Sequence, residues 1–126
     1  MPSAERVEQF MAMVEAGEYV AALETFYVED AATSENGARP RVGRDILIAE
    51  EYKTLARNKA VRGTRLDAPA IDGDRVAIAW RFEFDGLDGV TRAMEEIAWQ
   101  RWSGDRIAEE RFFYDPRQLI TPMAAG

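Results

Sequence analysis

The half of the chain after residue 60 alternates with a period of two, and this constrains the fold more than any other feature. Four segments, "VRGTRLDAPAI" (61–71), "RVAIAWRFEF" (75–84), "VTRAMEEIAWQRW" (90–102) and "RIAEERFFYD" (106–115), are separated by "DGD", "DGLDG" and "SGD". Short gaps of glycine and aspartate supply the backbone conformations of hairpin turns. The pattern therefore predicts an antiparallel meander of four long strands.

The first 60 residues have helical spacing instead. Val7, Phe10, Met11 and Val14 form one apolar stripe, with Ser3 as N-cap and Gly17 as the stop. Val20, Leu23, Phe26 and Tyr27 form a second stripe ending near Asp30, followed by a short extended piece, Ala31 to Ser34. A third helix is predicted from Gly43 or Arg44 to about Asn58, with Ile48, Tyr52 and Leu55 on one face. Helices followed by a meander give an α+β class: three N-terminal helices packed on one face of a bent antiparallel sheet. At 126 residues, with no repeat or linker, residues 1–126 read as a single domain.

Alternation sorts the strand residues into two faces. Trp80, Phe82, Phe84, Met94, Phe112 and Tyr114 share one face, with Glu96 and Glu110 embedded among them. This set is too apolar for solvent and belongs under the helices. The opposite face mixes Arg81, Glu83, Glu95, Arg101, Glu109 and Arg111 with Ile97, Trp99 and Phe113. Its mixed charges suit cross-strand ion pairs, and its apolar centre suits an isologous homodimer contact burying Trp99.

Composition removes several function classes. The net charge of −7 argues against a nucleic-acid partner, since phosphate binding needs a concentrated basic face. Cysteine and histidine are both absent, so thiolate chemistry, the commonest general base and the commonest transition-metal ligand are excluded together. No stretch resembles a signal peptide or a membrane span, which points to a cytoplasmic address without a membrane partner. Glu35, Glu96 and Glu110 could in principle hold a hard cation, but no ligand spacing supports it, and no metal or other cofactor is expected.

The order helix, helix, "FYVEDAAT", loop, "VGRDILIAEEY", meander, "SGDRI", aromatic strand resembles the nuclear transport factor 2-like superfamily over roughly residues 5 to 116. It is most similar to the SnoaL-like and ketosteroid-isomerase-like branch. The resemblance implies a cone-shaped α+β barrel with a strongly curved sheet, a hydrophobic pocket between helices and sheet, and frequent homodimers. Ketosteroid isomerase uses a carboxylate base and an oxyanion hole made of a tyrosine and a protonated aspartate. The base position falls at about Glu35, but the tyrosine falls on Phe10 and the aspartate at about Ala98. The resemblance therefore does not carry that mechanism over. Ala98 also lacks the acid–base aspartate of SnoaL-type cyclases, and Phe112 stands where an epoxide hydrolase of this type has its last-strand aspartate.

The candidate catalytic residues are thus Glu96, Glu110 and Glu35. Buried among aromatic rings, Glu96 and Glu110 would be desolvated, which raises a carboxyl toward neutral pH and suits general acid–base work. The structural alternative is that Arg92, Tyr52 or another partner satisfies each, stitching helix to sheet. Trp80, Phe82, Tyr114, Phe112, Phe10, Tyr52 and Met94 are the candidate contacts for a hydrophobic small molecule. Two functions remain open: an isomerase, lyase or hydratase working by carboxylate acid–base catalysis, or a non-catalytic module that binds an apolar ligand or partner.

Overall fold

The computed structural model describes residues 1–120 and 122. Helix α1 spans Ala4–Glu15, begins where Ser3 Oγ accepts the amide of Arg6 at 3.0 Å, and buries Val7, Phe10, Met11 and Val14. Gly17, at φ +79°, turns the chain into α2, Tyr19–Phe26. Strand β1 then runs Tyr27–Glu35, β2 is Arg41–Val42, and α3 spans Arg44–Ala56. The sheet continues with β3 Asn58–Arg65, β4 Ala70–Asp72, β5 Arg75–Gly86, β6 Thr91–Ser103 and β7 Arg106–Tyr114, and a 3-10 turn, Pro116–Leu119, follows. Asp115 caps that turn by accepting the amide of Arg117 at 3.0 Å.

The meander is present, with β5 paired to β6 and β6 to β7, and strand order β2-β1-β7-β6-β5-β3. The expected antiparallel sheet is, however, mixed. Strand β1 pairs parallel with β7, from Tyr27 against Ile107 to Glu35 against Phe112. That pairing also corrects the end of the second helix: α2 stops at Phe26 and Tyr27 opens the strand, because the ladder to β7 outweighs local helical spacing. The sheet does not close into a barrel, and β2 and β3 stand at its two ends.

The first long segment is likewise two strands. Strands β3 and β4 pair successive stretches of β5, with Arg65 opposite Trp80 and Ala70 opposite Ala77. Pro69 lies between them and has no amide to give the ladder. A register slip in β6–β7 sets Arg101 against Glu109 and Trp102 against Ile107, leaving Ala108 without an opposite residue. This bulge lets Trp102, Ile107 and Glu110 all point under the helices.

There Met11, Phe26, Ile78, Trp102 and Ile107 form the fully buried centre. Phe10 packs edge-on against Phe26, Tyr27 and Trp102, at centroid distances of 5.4, 6.1 and 6.3 Å. Such contacts add about 0.5–1.5 kcal/mol each to the area they bury. Arg65 clamps α1 to β3 through Glu8 and Glu15, at 2.5 and 2.7 Å. On the outer face Ile97 and Phe113 are direct cross-strand neighbours, 45 % and 46 % exposed. Beside them the guanidinium groups of Arg75 and Arg111 each lie 5.3 Å from the Trp99 ring. Among the described residues no helix is long and apolar enough to cross a membrane.

Candidate active site

The helices do not cover the inner face of the sheet completely. Between them and β5–β7 lies a cavity of about 820 Å³. Strand β5 contributes Trp80, Phe82 and Phe84; β6 contributes Met94 and Glu96; β7 contributes Glu110, Phe112 and Tyr114. These residues alternate along their strands, so one parity carries both the aromatic wall and the carboxyls. Phe10 reaches the cavity from α1, and Glu35 lines it from the exposed end of β1.

Tyr52 is the exception among the expected contacts. It is 58 % exposed and does not line the cavity. The inward face of α3 is formed by Leu47, Glu51 and Thr54, one position round from the expected Ile48–Tyr52–Leu55 stripe. A helix that roofs a cavity can turn polar side chains inward, so its apolar spacing does not mark the buried face.

The two glutamates of the inner face have different surroundings. Glu110 is held in a chain of neutral donors: the Tyr27 hydroxyl donates to its Oε1, and Gln100 Nε2 donates to its Oε2 at 2.7 Å. Trp102 Nε1 in turn donates to Gln100 Oε1 at 2.9 Å, which fixes the orientation of that amide. Burial pushes the Glu110 carboxyl up to about 7, although both donors pull it down. Burial also raises Tyr27 well above the usual phenol range, with the Glu110 charge adding to the effect, so Tyr27 is the donor of the pair.

Glu96 has no such support. It is 6 % exposed and, among the described residues, makes no hydrogen bond or ion pair, so its carboxyl oxygens, which are not fully buried atoms, meet only the space of the cavity. Neither suggested partner reaches it, since Arg92 pairs with Asp88 at 3.2 Å and Tyr52 points outward. Its cross-strand neighbours are Trp80 on β5 and Tyr114 on β7. Burial first, then the charges of Glu110 and Glu35, push its carboxyl up to about 8. The two glutamates are not side by side: Glu110 faces Gln100, four residues beyond Glu96, about 13 Å further along the strand. They influence one another through space and are not a contacting pair.

Burial also raises Glu51 on α3, and it raises the Tyr114 hydroxyl, with the Glu35 and Glu96 charges adding to the latter. Gln100 continues the inward parity of Glu96 and Ala98 and was legible in the sequence on that ground. Tyr27 was hidden by its place at the helix–strand junction, and Glu51 by its charge. Among the described residues no group of acidic side chains is arranged to hold a metal ion.

No protein-family model and no curated protein matches the chain. Solved structures do. A protein assigned as a SnoaL-like polyketide cyclase from Mesorhizobium loti is 22 % identical, with a TM-score of 0.76 over 90 % of this chain and 100 % of that one. An NTF2-like protein of unknown function from Burkholderia pseudomallei is 12 % identical, with a TM-score of 0.79 over 96 % of each chain. A ketosteroid isomerase-like protein from Catenulispora acidiphila, in complex with trimethylamine, is 21 % identical, with a TM-score of 0.74 over 88 % and 85 %. The chain has the nuclear transport factor 2-like α+β fold of SnoaL-like and ketosteroid-isomerase-like proteins.

Proposed function

We propose that the protein is a small-molecule enzyme of isomerase, lyase or hydratase type in which Glu96 is the general acid–base. One observation carries this reading: an unpartnered carboxyl opens onto an aromatic-walled cavity while being almost wholly shielded from solvent. A group raised to about 8 holds a proton at neutral pH and can give it up or take it back at little cost. Glu110, tied to Tyr27 and Gln100, is a second protonable group that sets the field at the floor. Glu35 and Tyr114 stand nearer the opening, and Trp80, Phe82, Phe112, Met94 and Phe10 supply apolar contact for a hydrophobic or aromatic substrate.

The test is a turnover screen with carbonyl compounds bearing an acidic α-C–H and with their α,β-unsaturated and β-hydroxy counterparts, followed by Glu96→Gln. The variant keeps the shape and loses the titration, so kcat should fall by about 100-fold or more with the fold intact. Unchanged turnover of a substrate so found would remove Glu96 from the chemistry.

A second reading, a non-catalytic module for an apolar ligand, is favoured by Phe10 and Ala98, which bring no polar atom to the cavity or its floor. A protein of this fold from Catenulispora acidiphila is in complex with trimethylamine, which supports reading the fold as one that takes a small ligand. The module reading expects ligand-dependent thermal stabilisation that survives Glu96→Gln. For assembly we propose a homodimer through the outer sheet face, centred on Ile97, Phe113 and Trp99.

A further inference from the structure

Six carboxyl groups line the cavity: Glu35 from β1, Glu50 and Glu51 from α3, Asp88 from the turn between β5 and β6, Glu96 from β6 and Glu110 from β7. Two of them, at the rim, have cations of their own, Glu50 in Lys53 and Asp88 in Arg92. No lysine lines it, and its arginines are Arg41 and Arg57, both exposed, and Arg92, half-exposed and held by Asp88. The inner wall therefore has acidic groups without a protein cation to answer them. Glu110 is satisfied by two neutral donors, whereas Glu96, 94 % buried by its 6 % exposure, has none. Next to Glu96, the rings of Trp80, Phe82 and Phe84 follow one another along β5, with centroids 5.8 and 6.4 Å apart.

Aromatic faces and carboxylates favour the same kind of guest. Ring faces carry negative potential and attract an ammonium more strongly when water is excluded. An anionic ligand would meet the carboxyls of Glu35, Glu51, Glu96 and Glu110 with no cation beside them, and a purely apolar one would leave Glu96 covered without a partner. We propose that the ligand of this cavity carries a cationic amine, its nitrogen held by the Glu96 carboxylate among the rings of Trp80 and Phe82. This names the ligand class of the site proposed above and rests on that reading only for the choice of cavity.

The groups facing Glu96 give the pairing a sign. Its direct neighbours are Trp80 from β5 and Tyr114 from β7. The other charged groups lining the cavity are Glu110 from β7, Glu35 from β1, Glu50 and Glu51 from α3, Asp88, and the arginines Arg41, Arg57 and Arg92, of which Arg92 is held by Asp88 and none pairs with Glu96. In the empty cavity Glu96 keeps its proton up to about pH 8. A bound cation favours the carboxylate, so binding expels the proton, and affinity for a permanently charged cation tightens about tenfold between pH 7 and pH 9. A neutral ligand accepting a hydrogen bond from the protonated acid weakens over the same range.

The experiment is isothermal titration of the whole chain with benzyltrimethylammonium and with 2-methyl-1-phenylpropan-2-ol, an uncharged molecule of nearly the same shape, at pH 6, 7, 8 and 9. The expected result is a cation preference of tenfold or more at pH 9, growing from pH 7, with proton release seen as a dependence on buffer ionisation enthalpy. Glu96→Gln should abolish the preference and the pH dependence while retaining the alcohol; circular dichroism checks its fold, and the unsubstituted protein's pH profile needs no variant. Equal binding of both probes, a pH-independent preference, a preference that survives in the variant, or binding of neither probe overturns the proposal. If the probes bind alike while Glu96→Gln still removes turnover of a screened substrate, the ligand class falls and the acid–base reading stands. If the cation preference holds while Glu96→Gln leaves turnover intact, the reverse is true.

Discussion

Glu96 and Glu110 have the same side chain on the same sheet face, and their surroundings separate them. Glu96 is raised by burial and by neighbouring negative charge with nothing to oppose it; Glu110 is more deeply buried but has two donors. A carbon-detected NMR titration of the empty protein should therefore find two carboxyls far above the ordinary range, Glu96 at about 8 and Glu110 at about 7. Two ordinary glutamate titrations there would take away the physical basis of acid–base chemistry. Tyr27→Phe supplies the control. Removing its hydroxyl withdraws a donor that lowers Glu110, so the Glu110 carboxyl should titrate higher while stability falls by about 1–3 kcal/mol, the range for losing one partner of a buried polar pair. Unchanged Glu110 titration in that variant would mean the hydroxyl is not its partner in solution. The two glutamates were legible because strand parity puts them in one row with Trp80 and Tyr114. Their partners were less so, since the donor Tyr27 lies on another strand, 83 residues away.

At the scale of elements, regular spacing was readable where one face of an element is dry and misleading where it borders the cavity. Helix α1 buries the stripe its sequence displays, and β5 to β7 form the meander that the alternation and turn glycines require. Helix α3 does not, because its inward positions include Glu51 and Thr54 at a cavity wall while Tyr52 faces solvent. Tyr52→Ala should thus leave probe binding and turnover unchanged within twofold, whereas Glu51→Gln, which removes an acidic group from the cavity wall, should weaken binding of the cationic probe while the pH dependence set by Glu96 remains. A large loss of binding in Tyr52→Ala would put the face of α3 wrongly. The parallel β1–β7 pairing was beyond local reasoning for a different cause: its partners are some 80 residues apart, and nothing in residues 27–30 distinguishes a strand from the end of a helix.

For the whole molecule, the fold and the site make opposing demands, and pH exposes the conflict. Glu96 and Glu110 titrate at about 8 and about 7 when folded, against an ordinary value of 4.5. Below pH 4.5 both states hold these protons; as pH rises the unfolded chain releases them first, and the folded chain must either keep them or bear buried charge. Their contribution to stability is present at low pH and is lost progressively as pH rises through 7 and 8. The ion-paired surface carboxyls, such as Asp85 at about 2 and Glu15, lie below their ordinary values and act oppositely, but in the acid range, so the two effects occupy separate windows. Calorimetry should show the melting temperature falling by roughly 5–10 °C between pH 5.5 and pH 8.5, as expected for a loss of about 2 kcal/mol or more in a chain of this size. Glu96→Gln, which removes a titrating group that has no hydrogen bond to lose, should flatten that fall and leave the variant more stable than its parent at pH 8.5. A flat or rising profile in the parent would show that water reaches Glu96 freely. A fall that persists unchanged in the variant would assign the instability to other groups. If the stabilisation appears as expected, the parent retains at Glu96 a charge-bearing group that its fold would be better off without, and a ligand that pairs with that charge should restore the melting temperature at pH 8.5 by binding only the folded state.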